Sequence, residues 1–224
     1  LPVDAAAHPK ADAARIAGIM VLADDDPRWK WDPVEQARAA CEGGAGCVQL
    51  RAKHAPDREA LAWARAIREA TRASGVLFVV NDRFDLAWLA GADGVHLGQD
   101  DLPPRALPAA ARDALLVGRS THEPSQLEAA RGEPVDYVAF GPVFGTKSKA
   151  SPYDARGEDA LARAVRAAAP RPLVAIGGIG AANLAVVAAA GAAAAAVISA
   201  VAGADDPRAA TRALVDAFEG GRKR

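Results

Sequence analysis

Residues 77–101 read LFVVNDRFDLAWLAGADGVHLGQDD. Two apolar runs, 77–80 and 94–97, each lead into a polar cluster: Asn81-Asp82-Arg83 after the first, Gln99-Asp100-Asp101 after the second. Runs this short suit buried strands and are too brief for helices. The alanine-bearing segment between them has helical spacing. The unit is therefore strand, helix, strand, with polar residues gathered where each strand ends.

The same unit recurs outward in both directions. Further strands are expected at 18–22, 47–50, 115–118, 137–140, 173–176 and 195–198. Helices are expected at 57–74, with Leu61, Ala64, Ile67 and Ala70 on one face, and at 158–169 and 207–218. Another helix has a legible start: Asp32 as N-cap, Pro33 at the first position and Glu35 completing a capping box. Strands alternating with helices imply parallel pairing and right-handed crossovers. A closed barrel and an open doubly wound sheet both satisfy this pattern. Eight near-equal units favour the barrel, so the expected fold is α/β, a single (β/α)8 TIM barrel over residues 15–220. Residues 1–14 are expected to form a flexible extension.

Composition narrows the function. The chain has 224 residues and a formal net charge of −1, without the basic excess of a general nucleic-acid binder. The hydrophobic share of 51% is inflated by alanine, and no apolar run has the character of a membrane span. Residues 1–14 lack the hydrophobic region of a signal peptide, and a cytoplasmic protein is expected. Cys41 and Cys47 have no histidine at metal-site spacing and read as small buried hydrophobes. No nucleophilic triad is evident. The expected partners are small-molecule substrates, with neither nucleic acid nor membrane; a homodimer is compatible with the sequence.

The strand ends carry the chemistry. In a barrel they converge on the C-terminal rim, where active sites of this fold lie. Gly177-Gly178 and Ser199 would bring backbone N–H groups to the last two loops, the recurrent phosphate cradle. Asp82 and Asp101 lie on neighbouring strand ends. They can bind Mg²⁺, which takes one or two protein carboxylates, or cap helices instead. Arg51, Lys53 and Lys149 can clamp a diphosphate or be solvated surface charges; their positions after strands favour the clamp. His122 reads either as an acid or base or as a hydrogen-bonded residue at the mouth. Trp29-Lys30-Trp31 reads as a lid over an aromatic ring or as loop packing.

VQLRAK (48–53), NDRFDLA (81–87), GADGVHLGQDDLP (91–103), GRSTH (118–122), YVAFGPVFGTKSK (137–149) and AIGGI (175–179) together resemble the thiamine phosphate synthase family. The resemblance runs from about residue 47 to residue 199 and implies an Mg²⁺-dependent transferase. It implies that Gln49, Arg51, Lys53, Asn81, Ser120 and Lys149 contact a pyrimidine diphosphate, with Arg51, Lys53, Ser120 and Lys149 counted as catalytic. It places Mg²⁺ on Asp82 and Asp101, and a thiazole phosphate on Thr146, Ser148, Gly178, Ile198 and Ser199. The implied reaction is dissociative: diphosphate departs from the pyrimidine methylene, and the thiazole nitrogen attacks the resulting cation. Gly145 and Ser148 depart from the family's usual proline and Thr-x-Thr-Lys, although position 148 keeps its hydroxyl. The first strand, Met20-Val21-Leu22-Ala23-Asp24, departs from the usual Tyr-Leu-Val-Thr-Asp, and no contact is carried over from it. A thiazole tautomerase of this fold and a non-catalytic thiamine phosphate binder are the rival readings; neither needs the set Asp82, Asp101 and Lys149.

Overall fold

The computed structural model describes residues 9–145 and 152–223. The elements are β1 (Gly18–Asp24), α1 (Pro33–Gly43), β2 (Cys47–Arg51), α2 (Asp57–Ser74), β3 (Leu77–Asn81), α3 (Phe84–Ala90), β4 (Gly94–Leu97), α4 (Ala109–Ala114), β5 (Leu116–Thr121), α5 (Pro124–Arg131), β6 (Tyr137–Phe140), α6 (Glu158–Ala168), β7 (Leu173–Ala175), α7 (Leu184–Ala189), β8 (Ala194–Val197), α8 (Ser199–Ala202) and α9 (Pro207–Arg222). The strands pair in chain order, all in parallel, and β1 closes on β8 with Gly18 opposite Ala194. The expected TIM barrel is therefore the fold.

Alternation along the strands divides the apolar side chains into two layers. One set, including Val21, Val48, Phe78, Val95 and Val117, packs under the helices. The other, including Met20, Cys47, Leu77, Val79, Leu116, Tyr137 and Val174, fills the barrel interior. Cys47 is wholly buried there, and burial raises its thiol pKa; Cys41 is only half-buried, also with a raised pKa. Among the described residues no helix is long and apolar enough to cross a membrane.

Local chemistry explains the main boundaries. The capping box of α1 forms as expected: the Glu35 amide donates to Asp32 Oδ1 at 2.8 Å and the Asp32 amide to Glu35 Oε2 at 3.0 Å. In α2 the buried face is Ala60, Ala64, Ile67 and Thr71, with Leu61 and Ala70 on its flanks. Thr71 is tolerated because its hydroxyl donates to the Ile67 carbonyl at 3.0 Å. β5 runs on to Thr121 rather than ending near 118, because its polar side chains are satisfied internally. Arg119 reaches the Gly98 carbonyl at 2.5 Å, Ser120 bonds His96 at 2.8 Å, and Thr121 reaches the Ala139 carbonyl at 2.8 Å.

The bottom of the barrel is stoppered. Ala13–Arg15 form a 3₁₀ turn begun by Asp12, whose side chain accepts from the Ala14 amide at 2.9 Å. Ile16 is 1% exposed and, with Ala11 and Ala13, joins the interior cluster. Lys10 pairs with Asp136 at 2.8 Å, and Arg15 donates to the Gly75 carbonyl at 3.0 Å. Lys10, Ala11 and Ala13, assigned to the flexible extension on sequence grounds, thus contact the barrel.

Candidate active site

At the opposite rim, the strand ends surround a cleft of about 970 Å³. Its apolar floor is Met20, Leu22, Ala139, Val174, Ile176 and Ala196. Gln49, Arg51, Lys53, Asn81, Asp82, Asp101, Ser120, Gly178, Ile198 and Ser199 all line it. These are the expected site residues from β2, β3, β5, β7, β8 and the loop after β4. Thr146, Ser148 and Lys149 lie outside the described residues.

The two carboxylates come together. Asp82 has φ 64°, the left-handed region that aspartate tolerates better than most non-glycine residues. Its amide donates to the His96 carbonyl at 2.8 Å, which ties the end of β3 to β4. Asp101 Oδ2 accepts from the Gly98 amide at 2.6 Å. Burial and then the neighbouring Asp82 carboxyl raise the Asp101 pKa, while the Gly98 amide and Lys53 act in the opposite direction. Lys53 Nζ bonds Asp82 Oδ2. Neither aspartate caps a helix: the N-cap of α3 is Arg83 and that of the turn Pro104–Ala106 is Pro103. Asp100 is exposed.

This donor set fits Mg²⁺. Both carboxylates offer hard oxygen donors, and their mutual repulsion is what a divalent cation would relieve. Among the described residues no group of three or more His, Cys, Asp and Glu side chains is arranged to hold a metal ion. Mg²⁺ does not require one, because water and substrate phosphate commonly complete its octahedron.

Hydrogen bonds fix the remaining polar groups. Ser120 Oγ lies 2.8 Å from His96 Nε2, and His96 Nδ1 lies 3.0 Å from the Tyr137 hydroxyl, all three being buried. Burial pushes the Tyr137 phenol well above its usual pKa. Gln99 donates to the Ser120 carbonyl at 2.6 Å. His122 is held by the Gly141 carbonyl at 2.6 Å and stacks on Tyr153 with ring centres 4.2 Å apart. The two tryptophans are placed differently. Trp31 packs the loop, donating to the Ala204 carbonyl at 2.9 Å, whereas Trp29 lines the cleft and donates to Asp24 Oδ1 at 2.8 Å.

Glycine permits the close approach of the loops after β6 and β7. Gly177 and Gly178 have φ 91° and 66°. The Val143 amide donates to the Ile176 carbonyl at 2.8 Å, and the Phe144 amide to the Gly177 carbonyl at 3.0 Å. Asn183 braces the turn, donating to the Gly178 carbonyl at 2.9 Å and accepting from the Gly180 amide at 2.9 Å. Asp24 and His96 had no assigned role in the sequence reading; their partners, Arg51 and Ser120, are distant along the chain.

A sequence profile described as Thiamine monophosphate synthase matches residues 19–201. A thiamine-phosphate synthase from Anaeromyxobacter dehalogenans is 50% identical over 229 aligned positions, covering 99% of this chain and 97% of the relative. One from Methanoculleus marisnigri is 50% identical over 180 positions, covering 80% of this chain and 85% of the relative. The structure of a thiamine phosphate pyrophosphorylase from Pyrococcus furiosus superposes with a TM-score of 0.82 at 35% identity, covering 93% of this chain and 98% of that one. By sequence profile, by relatives and by fold, this chain belongs to the thiamine monophosphate synthase family.

Proposed function

We propose that the chain is a thiamine phosphate synthase, joining 4-amino-2-methyl-5-(diphosphooxymethyl)pyrimidine to a thiazole phosphate and releasing diphosphate. The observation that carries this reading is the Asp82–Asp101 pair, with Lys53 bonded to it and Arg51 on the same cleft wall. Asp82 and Asp101 would hold Mg²⁺, which when bound neutralises charge developing on the leaving diphosphate. Arg51 and Lys53 add fixed positive charge at the same place. Lys149, outside the described residues, is assigned there from its position after the sixth strand and from the resemblance.

Gln49, Asn81 and Ser120 bind and orient the pyrimidine diphosphate; His96 fixes the Ser120 hydroxyl. The bond from the methylene carbon to the diphosphate oxygen breaks, and its electron pair leaves with the diphosphate. The aminopyrimidine ring spreads the positive charge, and the thiazole nitrogen lone pair forms the new C–N bond. No protein nucleophile is required. The apolar floor excludes water that would otherwise capture the cation. Gly178, Ile198 and Ser199, with Thr146 and Ser148 by resemblance, hold the thiazole phosphate.

The test is an assay with both substrates and Mg²⁺, following thiamine phosphate and diphosphate together. Equimolar products are expected, with turnover lost in excess chelator and restored by Mg²⁺. Absence of product from folded protein overturns the synthase reading; full activity in chelator overturns the metal assignment.

Ser199→Asp tests the second substrate site. It removes a hydroxyl and places a negative charge beside an expected anion. The KM for thiazole phosphate is expected to rise at least about tenfold, ~1.4 kcal/mol, with the KM for pyrimidine diphosphate nearly unchanged. Unchanged thiazole phosphate binding in calorimetry on the folded variant would exclude this position.

A further inference from the structure

Asp24 and Asp25 end β1 and begin the following loop, and both engage β2 or the segment just after it. Asp24 is 1% exposed. Its Oδ2 accepts from Arg51 Nη1 at 2.6 Å, and its Oδ1 accepts from Trp29 Nε1 at 2.8 Å and from the Asp26 amide at 3.1 Å. Buried Gln36 fixes the Asp24 backbone from α1, accepting from its amide at 3.0 Å and donating to its carbonyl at 2.9 Å.

Asp25 works through the main chain. Its carboxylate accepts from three successive amides, those of Lys53, His54 and Ala55, each at 2.8 Å. The Asp25 amide donates to the Arg51 carbonyl at 3.2 Å. The backbone from which Lys53 reaches Asp82 is therefore held by the residue next to the one that holds Arg51.

We propose that Asp24 and Asp25 are positioning residues for the two cations at the end of β2 and just after it, Arg51 and Lys53, setting them before a diphosphate arrives. This rests on the synthase reading above. A buried ion pair contributes little to stability compared with apolar packing, so stability alone does not account for Asp24. A guanidinium has five N–H donors, so binding Asp24 through Nη1 leaves donors for an anion. Arg51 and Lys53 are rich in rotamers when unconstrained; Asp24 restricts the first directly, and Asp25 fixes the backbone of the second. The Asp24 carboxylate also joins Arg51 to the Trp29 ring, so a cation and a cleft wall share one anchor.

The test uses Asp24→Asn and Asp25→Asn, which keep size and remove charge. Binding of inorganic diphosphate with Mg²⁺ is measured by calorimetry, alongside kinetics for both substrates. Diphosphate binding is expected to weaken about tenfold or more in Asp24→Asn and several-fold in Asp25→Asn, the range seen when partners that orient a binding group are lost. The thiazole phosphate KM should stay within about twofold. In an Arg51→Ala background, Asp24→Asn should add little, as expected for residues acting as one unit. Wild-type diphosphate affinity in both variants overturns the proposal. So does a parallel rise of both KM values that follows a falling melting temperature, the mark of a merely structural role. If Asp24→Asn fails to fold, Asp25→Asn decides. Failure of the synthase reading is distinguishable, because wild-type protein would then form no thiamine phosphate.

Discussion

Asparagine at position 101 is expected to raise the Mg²⁺ concentration for half-maximal turnover more than about tenfold and to lower kcat about a hundredfold. Asp101 faces Asp82 across the candidate metal position, and proximity to that carboxyl contributes to its raised pKa. Asparagine keeps an oxygen to accept from the Gly98 amide, so the loop retains its anchor while the charge is lost. Asp100→Asn is the internal control. Asp100 is exposed, in the turn that follows β4, and lines the same cleft, with no hydrogen bond among the described residues like the one that ties Asp101 to Gly98. Its replacement should change Mg²⁺ dependence less than about twofold, the size of an ordinary surface substitution. Mg²⁺ titrations of both variants check this, and a larger defect in Asp100→Asn would reverse the assignment.

Gly178→Ala is expected to destabilise the protein by about 2–4 kcal/mol and to raise the thiazole phosphate KM, through backbone geometry rather than lost contacts. At φ 66°, a Cβ would lie 2.4 Å from the Gly145 carbonyl oxygen and 2.8 Å from the Phe144 carbonyl carbon. Neither is the end of a flexible side chain, so the loop after β6 must move. That loop is tied to the end of β7 through the Phe144 amide and the Gly177 carbonyl. Gly145→Ala is the control: among the described residues a Cβ there meets nothing within 4 Å, and the change should alter stability by less than about 1 kcal/mol. Denaturant unfolding of both proteins measures the difference. Equal stability would show that the loops separate without cost.

Much of the fold was legible because its signal is local. The runs 77–80, 94–97 and 137–140 are apolar for most of their length and bounded by polar or turn-forming residues. The extension of β5 through Ser120 and Thr121 was not legible, because those side chains are buried only by virtue of partners on β4 and β6. The α2 stripe was read off-centre for a similar reason: Thr71 belongs to the buried face once its hydroxyl bonds within the helix. Positions of the site residues followed from the strand ends, since a closed barrel brings every strand end to one rim. The partners that hold them did not. Asp24 meets Arg51 and Asp25 meets Lys53 across the β1–β2 edge, and nothing in either local sequence announces the pairing.

The stopper beneath the barrel has a kinetic consequence. With Ile16, Met20, Cys47, Leu77 and Leu116 each no more than 1% exposed, the interior formed by the described residues is closed toward the lower face. Among the described residues the cleft is blind and opens at a single mouth. On the proposed reaction, two substrates and two products share that mouth, so whichever group sits deepest must arrive first and leave last. Order of addition would then be set by depth as well as affinity, and a ligand lodged near the rim would trap whatever lies below it.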